Sequence, residues 1–328
     1  MTSMRTTPLQ GAAAWTGTGL EGDRSWLHIL DGSELDEIHA AIAGLTTEQV
    51  VACTFGREAF PLPRLSGRLR TVAMELEDGR GFAVLRGLPL DALSEAEYAA
   101  MCFGLGLHMG KPVRQNPRGD LLGMVAHTGD VNDRRTRVYQ TNLYLPFHSD
   151  PSDVVGLFCI RKAREGGMSS LVSVAAIYNR ILEKHSQYLA LYYRQWYFAH
   201  LCEELPSLSP IFSYHDGKLS CRYLRQYIEL GHDIRGLPLS TVEVEALDVF
   251  DGVMNGPDLR LDMMLEPGDL QFANNYAVLH SRTAFVDHEE PERRRQMWRL
   301  WIMMDNARRL APEFPGRNGF PDPVPAAS

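Results

Sequence analysis

Tyr144-Leu145-Pro146-Phe147-His148-Ser149-Asp150 is the stretch on which the reading of this chain turns. On an extended strand successive side chains alternate faces, so His148 and Asp150 point to one side and Ser149 to the other. A histidine and a carboxylate placed this way can reach one metal ion. The tripeptide alone is weak: the chain has 11 histidines, and ordinary rim side chains produce the same pattern. What surrounds it decides.

A third ligand has to come from elsewhere in the chain. His280, in Leu279-His280-Ser281-Arg282, follows a turn at Asn274-Asn275 and a short apolar run. Two imidazoles and one carboxylate on one face form the donor set of a non-haem Fe(II) site with open positions. Downstream, Arg295-Gln296-Met297-Trp298-Arg299 reads as a strand with Arg295, Met297 and Arg299 on one face and Gln296 and Trp298 on the other. Two guanidiniums turned into a core are costly unless anions meet them. An arginine fork suits a carboxylate. 2-Oxoglutarate is such a partner, with a keto-carboxylate end that chelates iron and a distal carboxylate that needs a cation. Arg293 and Arg294 read instead as a solvated face balancing Glu289, Glu290 and Glu292. Two other classes share a His/Asp/His site: a cupin-like metal and small-molecule-binding protein without catalysis, and a metal-dependent hydrolase. The cupin-like reading gives Arg295 no purpose.

Taken together, these pieces resemble the TauD/TfdA (taurine dioxygenase-like) family of Fe(II)/2-oxoglutarate-dependent dioxygenases. The matching residues are Phe147 to Asp150, Gly166-Gly167-Met168-Ser169, Pro267-Gly268-Asp269-Leu270 with Asn275, His280-Ser281-Arg282, and Arg295 with Arg299. A Gly-Phe-x-x-Leu-Arg-Gly block at 81–87 extends the likeness towards the N-terminus. The resemblance implies an α+β fold with a double-stranded β-helix (jelly-roll) core flanked by helices. It implies iron held by His148, Asp150 and His280, and 2-oxoglutarate held by Arg295 and by Ser169, which stands where the family has threonine. Arg299 matches a second arginine that meets an anionic substrate in some members. Gly268-Asp269 and Asn275 take structural roles around the turn that delivers His280. Related iron halogenases carry a small residue in place of the carboxylate, so Asp150 favours oxygen chemistry. The implied reaction consumes O₂ and 2-oxoglutarate, releases succinate and CO₂, and oxidises an unactivated C–H bond of a small molecule. Hydroxylation is the expected outcome, with desaturation or cyclisation as variants. An amino acid or a natural-product intermediate is the expected substrate class. The candidate substrate residues are Asn142, Tyr144, Gln115, Asn116, Arg222 and Arg225.

The bulk properties agree with an ordinary globular enzyme. The chain has 328 residues, 45% hydrophobic and 23% charged, with a formal net charge of −8. No basic stripe precedes residue 293, which argues against a nucleic-acid partner. No apolar run reaches 18 residues, which argues against a membrane span. Five cysteines are widely spaced without a Cys-x-x-Cys, suiting reduced thiols and a cytoplasmic location. Residues 1–12 read as a flexible N-terminus and 13–328 as a single catalytic domain, with 200–235 a candidate lid or insertion because no periodicity organises it. Helices are expected from a cap at Ser33, over about Leu65 to Leu76, from capping boxes at Ser94 and Ser240, and from about Ile177 towards Phe198. Strands are expected over 81–87, Val154 to Ile160, Ser170 to Val174, from Leu270, and over Met297 to Met303. Nothing in the sequence sets the oligomeric state, and a homo-oligomer is compatible with it.

Overall fold

The computed structural model describes residues 4–90, 93–127, 141–200 and 203–320. Met1 to Ser3 of the N-terminal segment, Leu201 and Cys202, and the last eight residues of the chain lie outside the described residues.

The N-terminal third contributes β1 (Leu27–Ile29), α1 (Gly32–Ala43), α2 (Thr47–Ala52), α3 (Leu65–Asp78), β2 (Phe82–Arg86) and α4 (Glu95–Leu107). Next come β3 (Gly110–Pro112), β4 (Leu122–Ala126), β5 (Leu145–His148), β6 (Val154–Arg161), β7 (Glu165–Gly166), β8 (Ser169–Ser173), α5 (Val174–Lys184) and α6 (Leu189–Tyr193). The rest supplies β9 (Trp196–Phe198), β10 (Ser207–Ser209), β11 (Phe212–His215), β12 (Lys218–Cys221), α7 (Arg225–Ile234), α8 (Thr241–Met254), β13 (Leu261–Met263), β14 (Leu270–Asn274), β15 (Val278–Arg282), β16 (Phe285–Val286) and β17 (Gln296–Met304).

Two sheets face each other. The larger runs β1-β2-β14-β6-β17-β3, with β4 also paired to β17, and the smaller runs β13-β8-β15-β5. All pairings are antiparallel except β1 with β2. Both faces of each sheet are covered, so its strands read as continuous apolar runs; the alternation shows only in which core each residue joins. In β2, Ala83 and Leu85 pack outward under α1 to α4, whereas Phe82 and Val84 face the smaller sheet. In β17, Leu300 and Ile302 point outward and Met297 inward. In β15, Leu279 joins an outer core with α5 to α8, whereas Val278 turns inward. The result is a double-stranded β-helix core flanked by helices, the α+β architecture expected.

The capping boxes at Ser94 and Ser240 are both formed. The first helix begins earlier than expected: Asp31 is the cap, closing a box with Glu34, and Ser33 donates its hydroxyl to Asp31. Residues 203–235 form β10, the β11–β12 hairpin and α7, and Phe212, Tyr223 and Ile228 are buried in the same outer core as Trp196 and Phe250. Near the N-terminus, Arg5 donates to the Tyr214 hydroxyl at 2.6 Å and Leu9 is held by Asn179 at 2.7 Å. Among the described residues, no helix is long and apolar enough to cross a membrane.

Candidate metal centre

Adjacent strands of the smaller sheet bring the two histidines together. His280 of β15 lies directly across from His148 of β5, and the ring centroids are 4.3 Å apart. Asp150 lies just past the end of β5. Its backbone N–H donates to the Asn275 side-chain oxygen at 2.9 Å, and the Asn275 amide donates in turn to the Ser152 carbonyl at 3.0 Å. Asn275 therefore clamps the metal-side loop onto the turn that starts β15. Ser149 points the other way, its N–H bonded to the Tyr223 carbonyl at 3.0 Å. One side-chain ligand atom from each of His148, Asp150 and His280 lies within 4.8 Å of the other two, and among the described residues this is the one such cluster.

The donor set fits a cation. His148 Nδ1 is 2.8 Å from the Pro146 carbonyl. A carbonyl only accepts, so Nδ1 carries the proton and Nε2 keeps its lone pair for a metal. Burial, and then the neighbouring His280, push the His148 pKa down to about 4. Burial alone would raise Asp150, but Arg299, His280 and His148 outweigh it and hold the carboxyl well below the usual range. The resting pair is thus a neutral imidazole and a carboxylate, the protonation states that ligate. Asp150 Oδ2 is buried with no hydrogen-bond partner and sits 3.6 Å from His280 Nε2. A buried, unpaired carboxylate oxygen is expensive, and a bound cation removes that cost.

The larger sheet provides the facing wall. A cavity of about 700 Å³, including its open mouth, is lined by the cluster together with Ser169, Arg282, Arg295 and Arg299. Arg295, Met297 and Arg299 all reach it, as the alternation along 295–299 predicts. The Gln296 amide turns the other way to Glu95 at 2.5 Å, and Trp298 packs against the outer core. Arg295 is buried over the Phe285 ring, 5.2 Å from its centroid, with Nη2 against the Met297 sulfur and Nη1 without a partner. Arg282 stacks on the same ring at 4.7 Å. It donates to the backbone carbonyls of Thr141 (3.1 Å) and Leu143, and its Nη1 also lacks a partner. Burial, with Arg295 alongside, lowers Arg282 to about 10, and burial lowers Arg295 as well. At about 10, Arg282 remains cationic at neutral pH. Gly167 has φ +72°, and a Cβ there would lie 3.3 Å from Arg295 Nε, so the Gly166-Gly167 turn leaves Arg295 its space. The Ser169 hydroxyl donates to Gln271 at 2.9 Å.

None of the six candidate substrate residues lines this cavity. Gln115 is buried behind Arg299 and bonded to it. Asn116 closes a surface turn with Asp120 at 2.7 Å. The Asn142 carbonyl accepts from the Phe285 N–H, and Tyr144 is exposed with its hydroxyl 3.4 Å from Asn255. Arg222 lies over Phe198 and donates to Ser207, and burial lowers its pKa to about 9. Arg225 is engaged by Glu229, Asp248 and Asp251. Conversely, Arg282, Lys162 and Gln271 belong to the cavity or its immediate support without having been given a role from sequence. Strand alternation two residues on from His280 was a usable signal for Arg282.

The family model described as "Taurine catabolism dioxygenase TauD, TfdA family" matches residues 43–301. The chain belongs to this family. It is an Fe(II)- and 2-oxoglutarate-dependent dioxygenase. FR-33289 synthase of Streptomyces rubellomurinus is 34% identical over 92% of each chain. A taurine hydroxylase-like protein of Stachybotrys chartarum is 28% identical over 93% of this chain and 82% of that one. Among solved structures, an asparagine oxygenase bound to Fe(II), 2S,3S-3-hydroxyasparagine and succinate superposes with a TM-score of 0.66 at 20% identity, covering 85% of this chain and 93% of that chain. The non-haem iron oxygenase OrfP with Fe and alpha-ketoglutaric acid gives 0.62 at 13% identity, covering 85% and 94%.

Proposed function

We propose that His148, Asp150 and His280 hold the iron, and that the distal carboxylate of 2-oxoglutarate is received by Arg295 with the Ser169 hydroxyl alongside. When bound, iron and 2-oxoglutarate together supply the oxidising chemistry, converting O₂ and 2-oxoglutarate into succinate, CO₂ and an oxygen atom delivered to a substrate C–H bond. The residues of the chain do the rest. The Pro146 carbonyl holds the His148 ring in one tautomer, and Asn275 holds the Asp150 loop. Arg295 neutralises an anion that would otherwise be stranded in a buried wall. The observation that carries this reading is that Arg295, whose buried Nη1 has no partner, lines the same cavity as the His/Asp/His cluster.

The substrate is a small molecule of the amino-acid or natural-product-intermediate class, taken into the remaining space beside Arg282. Support comes from the ligands named in similar folds, 2S,3S-3-hydroxyasparagine in one and (3S)-hydroxy-L-Arg in another. A reduced cytoplasm suits the free Cys53, Cys102, Cys159 and Cys221, the last three of them buried. The test is anaerobic addition of 2-oxoglutarate to the Fe(II) protein. A visible metal-to-ligand absorption band is expected, absent from His148→Ala. A wild-type protein that binds Fe(II) and shows no band would overturn the assignment. Screening amino acids and related metabolites for coupled succinate release then identifies the substrate.

A further inference from the structure

Gln115 is 2% exposed, and both ends of its carboxamide are engaged. Its oxygen accepts from Arg299 Nε at 2.7 Å. Its nitrogen donates to the Leu121 carbonyl at 2.7 Å and to the backbone carbonyl of Arg299 at 2.5 Å. The two carbonyls can only accept and the guanidinium can only donate, so the amide has one workable orientation. Gln115 thus grips Arg299 by main chain and side chain at once. The Arg299 guanidinium lies over the Trp301 ring, 4.5 Å from its centroid, and its Nη1 reaches to 3.7 Å from Asp150 Oδ1. On β4, Gly123 pairs with Arg299 across the sheet, and a Cβ there would meet the Gln115 oxygen at 2.8 Å. The missing side chain at 123 is what admits the carboxamide.

We infer that Gln115 is a positioning residue for the metal centre: by locking Arg299 it sets the orientation of the Asp150 carboxylate and the charge beside it. The inference rests on the assignment of Asp150 as an iron ligand. Without Gln115 the guanidinium loses its Nε acceptor, and one of the contacts that set its 3.7 Å pairing with Asp150 is gone. Removing a partner one step behind a metal ligand, as Arg299 stands to Asp150, typically changes metal affinity by about 10- to 100-fold, and Gln115, one step further back, belongs at the low end of that range. A residue that only stabilised the β4–β17 pairing would lower the melting temperature and leave that affinity alone.

The experiment compares Gln115→Leu, which keeps the size and removes both polar ends, with Gly123→Ala, which pushes on the same carboxamide and deletes no donor. Fe(II) affinity is measured anaerobically by competition with a chromophoric chelator, and 2-oxoglutarate affinity by titrating the absorption band. Gln115→Leu is expected to weaken Fe(II) binding about tenfold and to weaken 2-oxoglutarate binding in the same direction. Gly123→Ala is expected to give a smaller shift of the same sign. If Gln115→Leu does not fold, Gly123→Ala alone decides the matter. Affinities within twofold of wild type in the folded variants overturn the inference, whatever the melting temperature does. A wild-type protein with no band sinks the iron/2-oxoglutarate reading itself, whereas a normal wild-type band with unchanged variants sinks only the role of Gln115.

Discussion

The two sheets enclosing the cavity are covered alike on the outside and differ on the inside. Helices α1 to α4 cover the outer face of the larger sheet, and α5 to α8 cover that of the smaller one. Inside, the smaller sheet presents His148 and His280 with Asp150 at its edge, all fixed by near neighbours: the Pro146 carbonyl, the cross-strand register and Asn275. The larger sheet and the segment leading into it present Arg295 and Arg299, guanidiniums buried on aromatic rings. One wall is deficient in positive charge and the other in negative charge. On the proposed assignment an iron ion meets the first need and a carboxylate of 2-oxoglutarate the second, and the two walls together make a two-component cofactor site.

Removing a metal-side residue should be the most damaging change. His148→Ala or Asp150→Ala is expected to cut substrate-dependent succinate formation by about 10³-fold or more, since each leaves too few ligands for the ion. Retained turnover would show that the smaller sheet does not carry the chemistry. The same wall predicts a pH response in the metal-free protein. His148 in the folded state has its pKa near 4, below the usual imidazole value of about 6.5. Between those values the unfolded chain takes up a proton that the folded chain refuses. Stability is therefore fully present above about pH 6.5 and is lost as pH falls towards 4, by about 3 kcal/mol at most. Asp150, held low, extends the loss to more acidic pH. Melting curves of the metal-free protein from pH 7 to 4 check this, and His148→Gln should flatten them.

Changes on the cationic wall should separate from those on the metal wall. Arg295→Ala is expected to raise the 2-oxoglutarate dissociation constant about a hundredfold while Fe(II) still binds, because a buried charge partner is lost. An equal loss of Fe(II) binding would erase the distinction between the walls. Asn275→Ala should produce the reverse pattern at smaller scale, weakening Fe(II) about tenfold through the freed Asp150 loop; isothermal titration with Fe(II) under argon reads it.

Much of this site was legible because strand alternation is a strict rule. The period of two placed His148 with Asp150 and Arg295 with Arg299 before any fold was known, and it held in the structure. Capping boxes at Ser94 and Ser240 were legible for a similar reason, since each pairs residues three apart. The start of α1 was not, because Asp31 and Ser33 are both good caps and only the packed helix chooses. The region after residue 200 read as featureless, although Asp216-Gly217 is a hairpin signal: both residues have positive φ and they close β11 onto β12. The role of Gln115 was out of reach, because its partner lies 184 residues along the chain. Arg222 and Arg225 were read from the 200–235 region as partners for a substrate carboxylate; in the structure Arg222 lies over Phe198 and Arg225 is engaged by Glu229, Asp248 and Asp251, contacts that, Glu229 apart, depend on residues distant in the chain.

His148 and His280 face one another across a single strand pair, with the register shifting only beyond His280. The spacing of hydrogen-bonded strands is nearly constant, at about 4.8 Å. The separation of the two imidazoles is therefore written into the backbone and owes little to the side chains lining the rest of the pocket. A library that varies Val125, Leu157 or Met264 can retune which molecule is accepted while the holder of the ion stays in tune. A one-residue deletion within β5 has the opposite character: it turns His148 to the far face at a stroke. For retargeting, this scaffold is forgiving of substitution and intolerant of slippage.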